Sequence, residues 1–225
     1  MGATPAVLKS IAMQPAAASL PFDSTLRARI EDRLASIDPR RVPPDGALRR
    51  AAVAFVIVGD EHGEACFVLT RRASGLRRHS GQWAIPGGRS DGDETPADTA
   101  RRELHEEVGL ELSDSDVLGC LDDYATRSGY VISPIVCWGP SRPVLDLDRT
   151  EVARAHLVPL GRLLAPDLAA TTAIPESDRP VLSVGLLGGR IFAPTAAVIF
   201  QAREWLLMER ATRVAHFEQP VFAWK

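Results

Sequence analysis

Three glutamates in one short stretch constrain this chain more than any other feature. They are Glu103, Glu106 and Glu107, in the run GRSDGDETPADTARRELHEEVGL that begins at residue 88. At roughly 100° per residue, a helix projects their side chains within a sector of about 100°. Like charges one turn apart destabilise a helix, and a bound cation would reverse that cost. Carboxylate oxygens at this density indicate a site for Mg²⁺ or Mn²⁺.

The ends of the helix that carries the glutamates are marked by capping residues. Thr95 is the predicted N-cap, Pro96 the first helical residue, and Asp98 the partner of Thr95 in a capping box. Gly109 stands where a left-handed residue ends a helix, which leaves about 13 helical residues. A second, apolar stripe predicts that the helix packs closely against a sheet. This stripe consists of Ala97, Ala100, Leu104 and Val108.

The spacing of residues in this stretch resembles the signature of a known enzyme family. A glycine is followed after five residues by a glutamate, and after seven more by Arg-Glu-Leu, one residue, Glu-Glu, one residue and Gly-Leu. The residues that fill these positions are Gly88, Glu94, Arg102, Glu103, Leu104, Glu106, Glu107, Gly109 and Leu110. This pattern is similar to the Nudix box, and every specified position is filled. An acidic surface helix with a good cap, the alternative, does not require this combination.

Composition limits the class of protein. The 225 residues, 45% of them hydrophobic and 24% charged, suffice for one globular domain with a sizeable core. A net charge of −3 argues against a general nucleic-acid binder, because affinity for phosphate backbones needs a basic excess. No run approaches the roughly 18 apolar residues of a membrane span. The three scattered cysteines are predicted to be buried in a reducing compartment, which indicates a cytoplasmic protein.

The order of elements divides the chain into four parts. Residues 1–22 are predicted to form a mobile N-terminal arm, and 23–47 a helix followed by a Pro-rich connector. The Nudix hydrolase domain is predicted over 48–212, and 213–225 form a C-terminal tail. The Nudix resemblance and the alternation of strands and helices both indicate an α/β fold, a Nudix-type α/β/α sandwich with a mixed central sheet.

Within this domain, strands are predicted on both sides of the glutamate helix. Apolar runs at 51–58 and 65–72 precede the helix and indicate buried strands. The stretch 170–194 is predicted to contain loops and a hairpin. Residues 195–210 are predicted to form a second long helix with Thr195 as its N-cap. One helix on each face of the sheet follows from this order.

A second motif precedes the glutamate stretch, in VLTRRASGLRRHSGQWAIPGG. It is similar to the signature of the coenzyme A diphosphatase branch of the Nudix family. The matching residues are Leu69, Thr70, Arg72, Ala73, Arg77, Gly81, Pro86, Gly87 and Gly88. Two positions depart from the signature, with Val68 in place of leucine and Ile85 in place of phenylalanine. The second departure removes an aromatic side chain next to the metal site and bears on how the adenine or pantetheine end is held.

Arginines in this motif suit coenzyme A, which carries a diphosphate and a 3′-phosphate. Arg71, Arg72, Arg77 and Arg78 are the predicted substrate-binding residues, because guanidinium groups make bidentate contacts with phosphates. His79 adds a further basic group. The alternative is that these side chains only keep a surface loop soluble.

The resemblance implies a set of metal ligands. Glu103 and Glu107 are the expected direct ligands of Mg²⁺ or Mn²⁺. Glu106 is expected to be shared or water-mediated. A backbone carbonyl of Gly87 or Gly88 is expected to complete the shell.

Catalytic roles follow from the same resemblance. Arg102 is expected to pair with Glu94 or Glu106 and so to fix the carboxylates. The general base is either Glu103 or an acid on a later loop, where Glu151 fits best because it opens the stretch before a strand. A solvated surface charge is an equal alternative for Glu151. The other candidates on that loop are Asp146 and Asp148.

Three functions are open at this point. The leading hypothesis is a metal-dependent enzyme that hydrolyses coenzyme A or acyl-CoA to 4′-phosphopantetheine, or its acyl form, and adenosine 3′,5′-bisphosphate. The runner-up is a diphosphatase that acts on ADP-ribose or a nucleoside triphosphate. The third is a non-catalytic module that binds a nucleotide metabolite, although such modules usually lose glutamates of the box. Neither nucleic acid nor a membrane is an expected partner. A homodimer is compatible with the tryptophans, which are predicted to be core or dimer contacts: Trp83, Trp138, Trp205 and Trp224.

Overall fold

The computed structural model describes residues 18–43, 48–73 and 81–224. Most of the predicted N-terminal arm lies outside these ranges. Arg77 and Arg78, two of the predicted substrate-binding residues, also lie outside them, as does His79.

In the described chain, eight strands form the central sheet, and the two longest are parallel to each other. β1 (Arg49–Gly59) pairs along its length with β7 (Tyr130–Ser141). β2 (Ala65–Arg72) runs antiparallel to β1, and on its other side pairs with β8 (Val152–Pro159). The four short strands are β3 (Trp83–Ala84), β4 (Gly87–Arg89), β5 (Val117–Cys120) and β6 (Tyr124–Ala125). The predicted mixed sheet is confirmed.

Helices cover both faces of this sheet. α2 (Pro96–Val108) packs on one face, and α1 (Ser24–Ala35) and α3 (Thr195–Ala202) pack on the other. Successive residues of β1 alternate between two hydrophobic cores, since Val56 lies on the α2 side and Ile57 on the opposite side. The predicted α/β/α sandwich is therefore confirmed, with two helices on one face where the sequence indicates one.

The helix that carries the glutamates begins and ends as its capping residues predict. The Thr95 hydroxyl accepts from the Asp98 N–H at 3.2 Å, and the Asp98 carboxylate accepts from the Thr95 N–H at 3.3 Å. Gly109 ends the helix in the left-handed conformation, at φ 73°. The predicted apolar stripe packs against the sheet: Ala97, Ala100, Leu104 and Val108.

Residues 169–193 form more regular structure than the sequence indicates. A separate antiparallel sheet consists of β9 (Ala169–Ile174), β10 (Ser177–Leu186) and β11 (Gly189–Phe192). The predicted hairpin is present as β10 and β11. The prediction of loops is wrong for β9, which is mostly exposed and lacks the apolar alternation that marks a strand.

The predicted helix over 195–210 is shorter than expected. It is α-helical over Thr195–Ala202 and continues as a π-helical turn over Arg203–Leu207. Thr195 is not its N-cap, since Pro194 occupies that position. The Thr195 hydroxyl instead donates to the Trp83 carbonyl at 3.3 Å and ties this helix to β3.

Two of the three cysteines are buried, as predicted, and the third is not. Cys66 and Cys137 are buried free thiols, and burial raises the pKa of each to about 12. Cys120 is partly exposed. No helix within the described ranges is long and apolar enough to cross a membrane.

Candidate active site

Two adjacent glycines bring β4 against both β1 and the glutamate helix. At Gly87 φ is +155°, and an added Cβ would lie 2.3 Å from the Ala52 carbonyl oxygen. At Gly88 an added Cβ would lie 2.5 Å from the carboxylate carbon and both oxygens of Glu103. The first glycine therefore lets the strand pack on β1, and the second leaves room for the Glu103 carboxylate against the strand.

Arg102 joins the acidic groups of the helix. Its Nε donates to Glu94 at 2.8 Å, and its Nη1 donates to Glu103 at 2.8 Å and to Glu106 at 2.9 Å. Its Nη2 donates to the Arg89 carbonyl at 2.9 Å, which links the network to β4. The hydrogen bonds from Arg102 hold the pKa of Glu94 down at about 2. The expected pairing is found with both Glu94 and Glu106, and Glu103 joins it.

Glu107 lies on the same helix and does not take part in this network. It is almost fully buried, with 4% of its surface exposed. Its Oε2 has no hydrogen-bond partner among the described residues. Among the described residues, Arg72 is the cation that lies near its other oxygen, with Nη1 3.8 Å from Oε1. Burial raises the pKa of Glu107 to about 8, and the neighbouring charges of Glu103 and Glu151 add to the rise. A buried carboxylate with an orphaned oxygen is costly unless a cation binds it.

Glu151 lies close enough to influence these glutamates. Its carboxylate is half exposed and lies 4.0 Å from Arg72 Nη2. Burial is the main cause that raises the pKa of Glu103, as it is for Glu107, and the charge of Glu151 adds to the rise at both. Glu151, the acid predicted on the later loop, therefore lies close enough to the helix for its charge to act on the glutamates.

The other acids of that loop serve its structure. The Asp146 N–H donates to the Val108 carbonyl at 3.0 Å, and the Asp148 N–H donates to the Glu107 carbonyl at 3.1 Å. The Asp148 carboxylate accepts from the Thr150 hydroxyl at 2.7 Å, and this bond lowers the pKa of Asp148. Of the three loop acids, Glu151 is the one that faces Arg72.

The two described arginines of the upstream motif occupy different places. Arg72 lies between Glu107 and Glu151, beside the glutamate helix. Arg71 Nε donates to the Gly81 carbonyl at 3.2 Å, and its guanidinium lies 5.8 Å from the ring centroid of Trp83. Arg72 is therefore placed to contact a phosphate beside the carboxylates.

A cavity of about 630 Å³ opens beside Gly87 and Gly88. Among the described residues that line it there is no aspartate or glutamate. The cations that line it are Arg72, Arg89 and Arg190, and the aromatic residues are Trp83, Tyr130, Phe192 and Phe222. Its charge and its rings suit an anionic ligand that carries a flat or apolar group.

Several of these lining residues are not identified by the sequence analysis. Trp83 packs against the hydrophobic core, as predicted, and it also lines the cavity. Arg190 and Phe192 were not predicted, and no motif marks them. Their spacing of two residues is a usable signal, because it places both on one face of a strand.

Comparison with known proteins decides the family. The model of the NUDIX domain matches residues 48–177, more than half of the chain. The chain belongs to the Nudix family. The matched range contains the glutamate helix, β4, the upstream motif and Glu151, and the prediction of a Nudix hydrolase is confirmed at the level of the family.

Nudix relatives resemble this chain over about half its length. It is 41% identical over 118 residues to a protein of Yersinia pestis (strain Pestoides F) named Uncharacterized Nudix hydrolase NudL. A NudL protein of Yersinia pseudotuberculosis serotype O:1b (strain IP 31758) matches to the same extent. Each match covers 52% of this chain and 58% of the relative. A MutT protein from Methanosarcina mazei Go1 is similar in structure, with 23% identity, a TM-score of 0.41, and coverage of 57% of this chain and 83% of that one. At that TM-score the likeness adds nothing to the assignment.

Nudix enzymes generally use divalent metal ions, and the residues of this site fit one. Hard cations prefer oxygen ligands. Here the Oε2 of Glu107, which has no hydrogen-bond partner among the described residues, and the Glu103 carboxylate, which fits against Gly88, supply such oxygens. Within the described ranges, no three His, Cys, Asp or Glu side chains are already gathered around one point. In this arrangement Arg102 engages Glu103 and Glu106, whereas Glu107 faces Arg72.

Proposed function

We propose that the protein is a metal-dependent diphosphohydrolase that cleaves coenzyme A or acyl-CoA to 4′-phosphopantetheine, or its acyl form, and adenosine 3′,5′-bisphosphate. The observation that carries the proposal is the cavity lined by three arginines and, in its described lining, no acid, and bordered by Gly88, which lies against the Glu103 carboxylate. A substrate there would place a diphosphate near Arg72. The coenzyme A signature before the box supports this choice of substrate within the Nudix family.

The proposed chemistry divides among a few side chains. Mg²⁺ or Mn²⁺ would neutralise the charge on the diphosphate oxygens and lower the pKa of water. Glu103, Glu107 and the Gly88 carbonyl are the proposed ligands, with Glu106 shared or water-mediated. Arg102 would hold Glu103 and Glu106 in position through the hydrogen bonds described above.

The reaction adds water across one phosphoric anhydride bond. Arg72, which lies beside Glu107, would bind an oxygen of the diphosphate. Either Glu151 or Glu103 would accept the proton of the attacking water. The water oxygen forms the new bond to phosphorus, and the bridging oxygen leaves with the other phosphate.

A diphosphatase that acts on ADP-ribose or a nucleoside triphosphate is the second candidate. The aromatic and arginine side chains of the cavity would also suit these nucleotides. A non-catalytic binding module is the least favoured, since all the glutamates of the box are present.

A substrate screen tests the proposed function. Coenzyme A, ADP-ribose, NADH and dGTP are incubated in parallel with the full chain and either Mg²⁺ or Mn²⁺, and kcat/KM is determined for each. Coenzyme A is expected to give the highest kcat/KM. A higher kcat/KM for ADP-ribose or dGTP would favour the second candidate function. If none of the four compounds is hydrolysed, the non-catalytic binding module is favoured.

Replacing Glu151 with glutamine tests the general base. If Glu151 accepts the proton, kcat is expected to fall by about tenfold with a smaller change in KM, because metal-bound water needs only a weak base. Both constants are measured from mildly acidic to mildly alkaline pH. Glu176→Gln, an equal change at an exposed position, is the control. A normal kcat of Glu151→Gln over the whole pH range would leave Glu103 as the proposed general base.

The upstream arginines are proposed to read the 3′-phosphate. Coenzyme A is then expected to be preferred over 3′-dephospho-coenzyme A by about tenfold to a hundredfold in kcat/KM, since a charge-assisted contact contributes roughly 1.5–3 kcal/mol. Arg77→Ala should erase much of that preference and leave hydrolysis of the dephospho substrate nearly intact. Arg78→Ala, one residue away and outside the motif position, is the comparison. Equal treatment of both substrates by the wild type would contradict this role for the loop.

The domain bounds, compartment and oligomeric state of the enzyme are proposed from its sequence and packing. The catalytic unit is proposed to extend over 48–212, with 213–225 as a tail. The buried free thiols of Cys66 and Cys137 support the cytoplasm as its compartment. A homodimer is proposed as its oligomeric form and would be visible as a doubled mass in light scattering.

A further inference from the structure

One wall of the cavity carries two exposed aromatic rings. Phe192 is the last residue of β11, and Phe222 lies in the short turn Val221–Ala223 near the C-terminus. Their ring centroids are 5.8 Å apart and their planes meet at 87°. Phe192 is 36% exposed and Phe222 61%, and both line the cavity. Large apolar surface left open inside a cavity is available to a ligand.

The tail that carries Phe222 is firmly anchored. Glu218 is buried and accepts from Arg127 Nη2 at 2.5 Å and from the Ser177 hydroxyl at 2.9 Å. Trp224 Nε1 donates to the Gln219 carbonyl at 2.9 Å, and the Arg127 guanidinium lies 5.0 Å from a Trp224 ring centroid. These contacts fix the chain on both sides of Phe222, so the wall is preformed.

The charge of this wall indicates what it binds. Arg190 shares the exposed face of β11 with Phe192, and its Nη2 donates to the Ser183 hydroxyl at 2.7 Å. Arg190 forms no ion pair with any described acid. An unpaired cation beside exposed rings matches a group that is both flat and negatively charged.

We infer that the wall formed by Arg190, Phe192 and Phe222 binds the adenosine 3′,5′-bisphosphate half of the substrate, with the base packed on the two rings. This inference rests on the proposed function and assigns one half of the substrate to one side of the cavity. The pantetheine half is flexible and has neither a ring nor a charge beyond its own phosphate. Phe222 is thus a specificity-determining residue, outside the part of the chain that the Nudix model matches.

Binding of the two product halves tests the inference. The affinities of adenosine 3′,5′-bisphosphate and 4′-phosphopantetheine for the full chain are measured by calorimetry, for the wild type and for Phe222→Ala. The variant is expected to bind the bisphosphate roughly tenfold more weakly, the effect of one lost stacking contact, and 4′-phosphopantetheine unchanged. Val221→Ala is the control, because Val221 is exposed in the same turn but does not line the cavity. With coenzyme A, KM should rise and kcat should stay within about twofold.

The outcomes separate this inference from the proposed function. Weaker binding of 4′-phosphopantetheine alone would place the pantetheine half on the wall and overturn the inference. Unchanged affinities for both halves, or no binding of the bisphosphate by the wild type, would overturn it as well. Failure to hydrolyse coenzyme A would refute the proposed function, yet the bisphosphate measurement would still decide what the wall binds because it requires no turnover.

Discussion

Replacing Glu107 with glutamine is expected to lower turnover by on the order of a hundredfold or more, while the protein still folds. Glutamine keeps the shape of the side chain and removes the charge. The buried Oε2 has no hydrogen-bond partner among the described residues, and the Arg72 Nη1 lies no closer than 3.8 Å to Oε1, so the fold depends little on this charge. If Glu107 is a metal ligand, the neutral glutamine would bind the cation more weakly and would no longer hold it in place.

The same substitution is expected to stabilise the metal-free protein. Burial raises the pKa of Glu107 to about 8, well above the value of about 4.3 for an unfolded chain. The folded state therefore holds this proton more tightly, so the stability it contributes is complete below about pH 4 and is lost as pH rises toward 8. Wild-type melting temperature should fall across that window more steeply than that of Glu107→Gln. Saturating Mg²⁺ should raise the melting temperature of the wild type more than that of the variant.

Glu111→Gln is the matched control, because it removes the same charge at an exposed position just beyond the helix. It should leave turnover and the Mg²⁺ response unchanged. Normal activity of Glu107→Gln at saturating Mg²⁺ would show that this helix is not the metal site.

Alanine at Gly88 is expected to lower kcat/KM by about a hundredfold and to leave the fold intact. The added Cβ would lie 2.5 Å from the Glu103 carboxylate, which is the mobile end of a side chain and can move away. That movement would take Glu103 out of its position above β4, and small misplacements of catalytic groups are costly. Activity assays and circular dichroism on the same preparation measure both effects.

Alanine at Gly87 is expected to affect folding and not catalysis, which is the opposite of alanine at Gly88. The two variants at neighbouring positions therefore serve as controls for each other. The Cβ added at Gly87 would lie 2.3 Å from the backbone oxygen of Ala52, and φ is +155°. A backbone atom inside a sheet cannot yield as a side chain does, so Gly87→Ala should lose stability or fail to fold. Equal activity of Gly88→Ala and the wild type would contradict the placement of Glu103 as a catalytic carboxylate.

The parts of the structure that the sequence predicts are those encoded by neighbouring residues. The glutamate helix begins at Pro96 and ends before Gly109 because its caps and its apolar stripe lie within the same short stretch. For the same reason Arg102 could be expected to pair with Glu94 or Glu106, and it contacts both. The sandwich follows from alternating strands and helices.

The parts that were not predicted depend on contacts between distant residues. β9 is defined by pairing with β10, since its own residues are mostly exposed. Thr195 bonds to Trp83, 112 residues away, instead of capping its helix. The aromatic wall joins β11 to the tail through Phe192 and Phe222, and neither segment shows a motif. Sequence spacing carries no information about such pairs.

Hydrolysis of coenzyme A in ¹⁸O-labelled water with Mn²⁺, followed by mass spectrometry, tests whether the protein is a metal-dependent coenzyme A diphosphatase. The expected products are 4′-phosphopantetheine and adenosine 3′,5′-bisphosphate, with the label on one of the two phosphates of the cleaved bond and no reaction once the metal is chelated. Intact coenzyme A under conditions in which ADP-ribose or dGTP is cleaved would contradict this function.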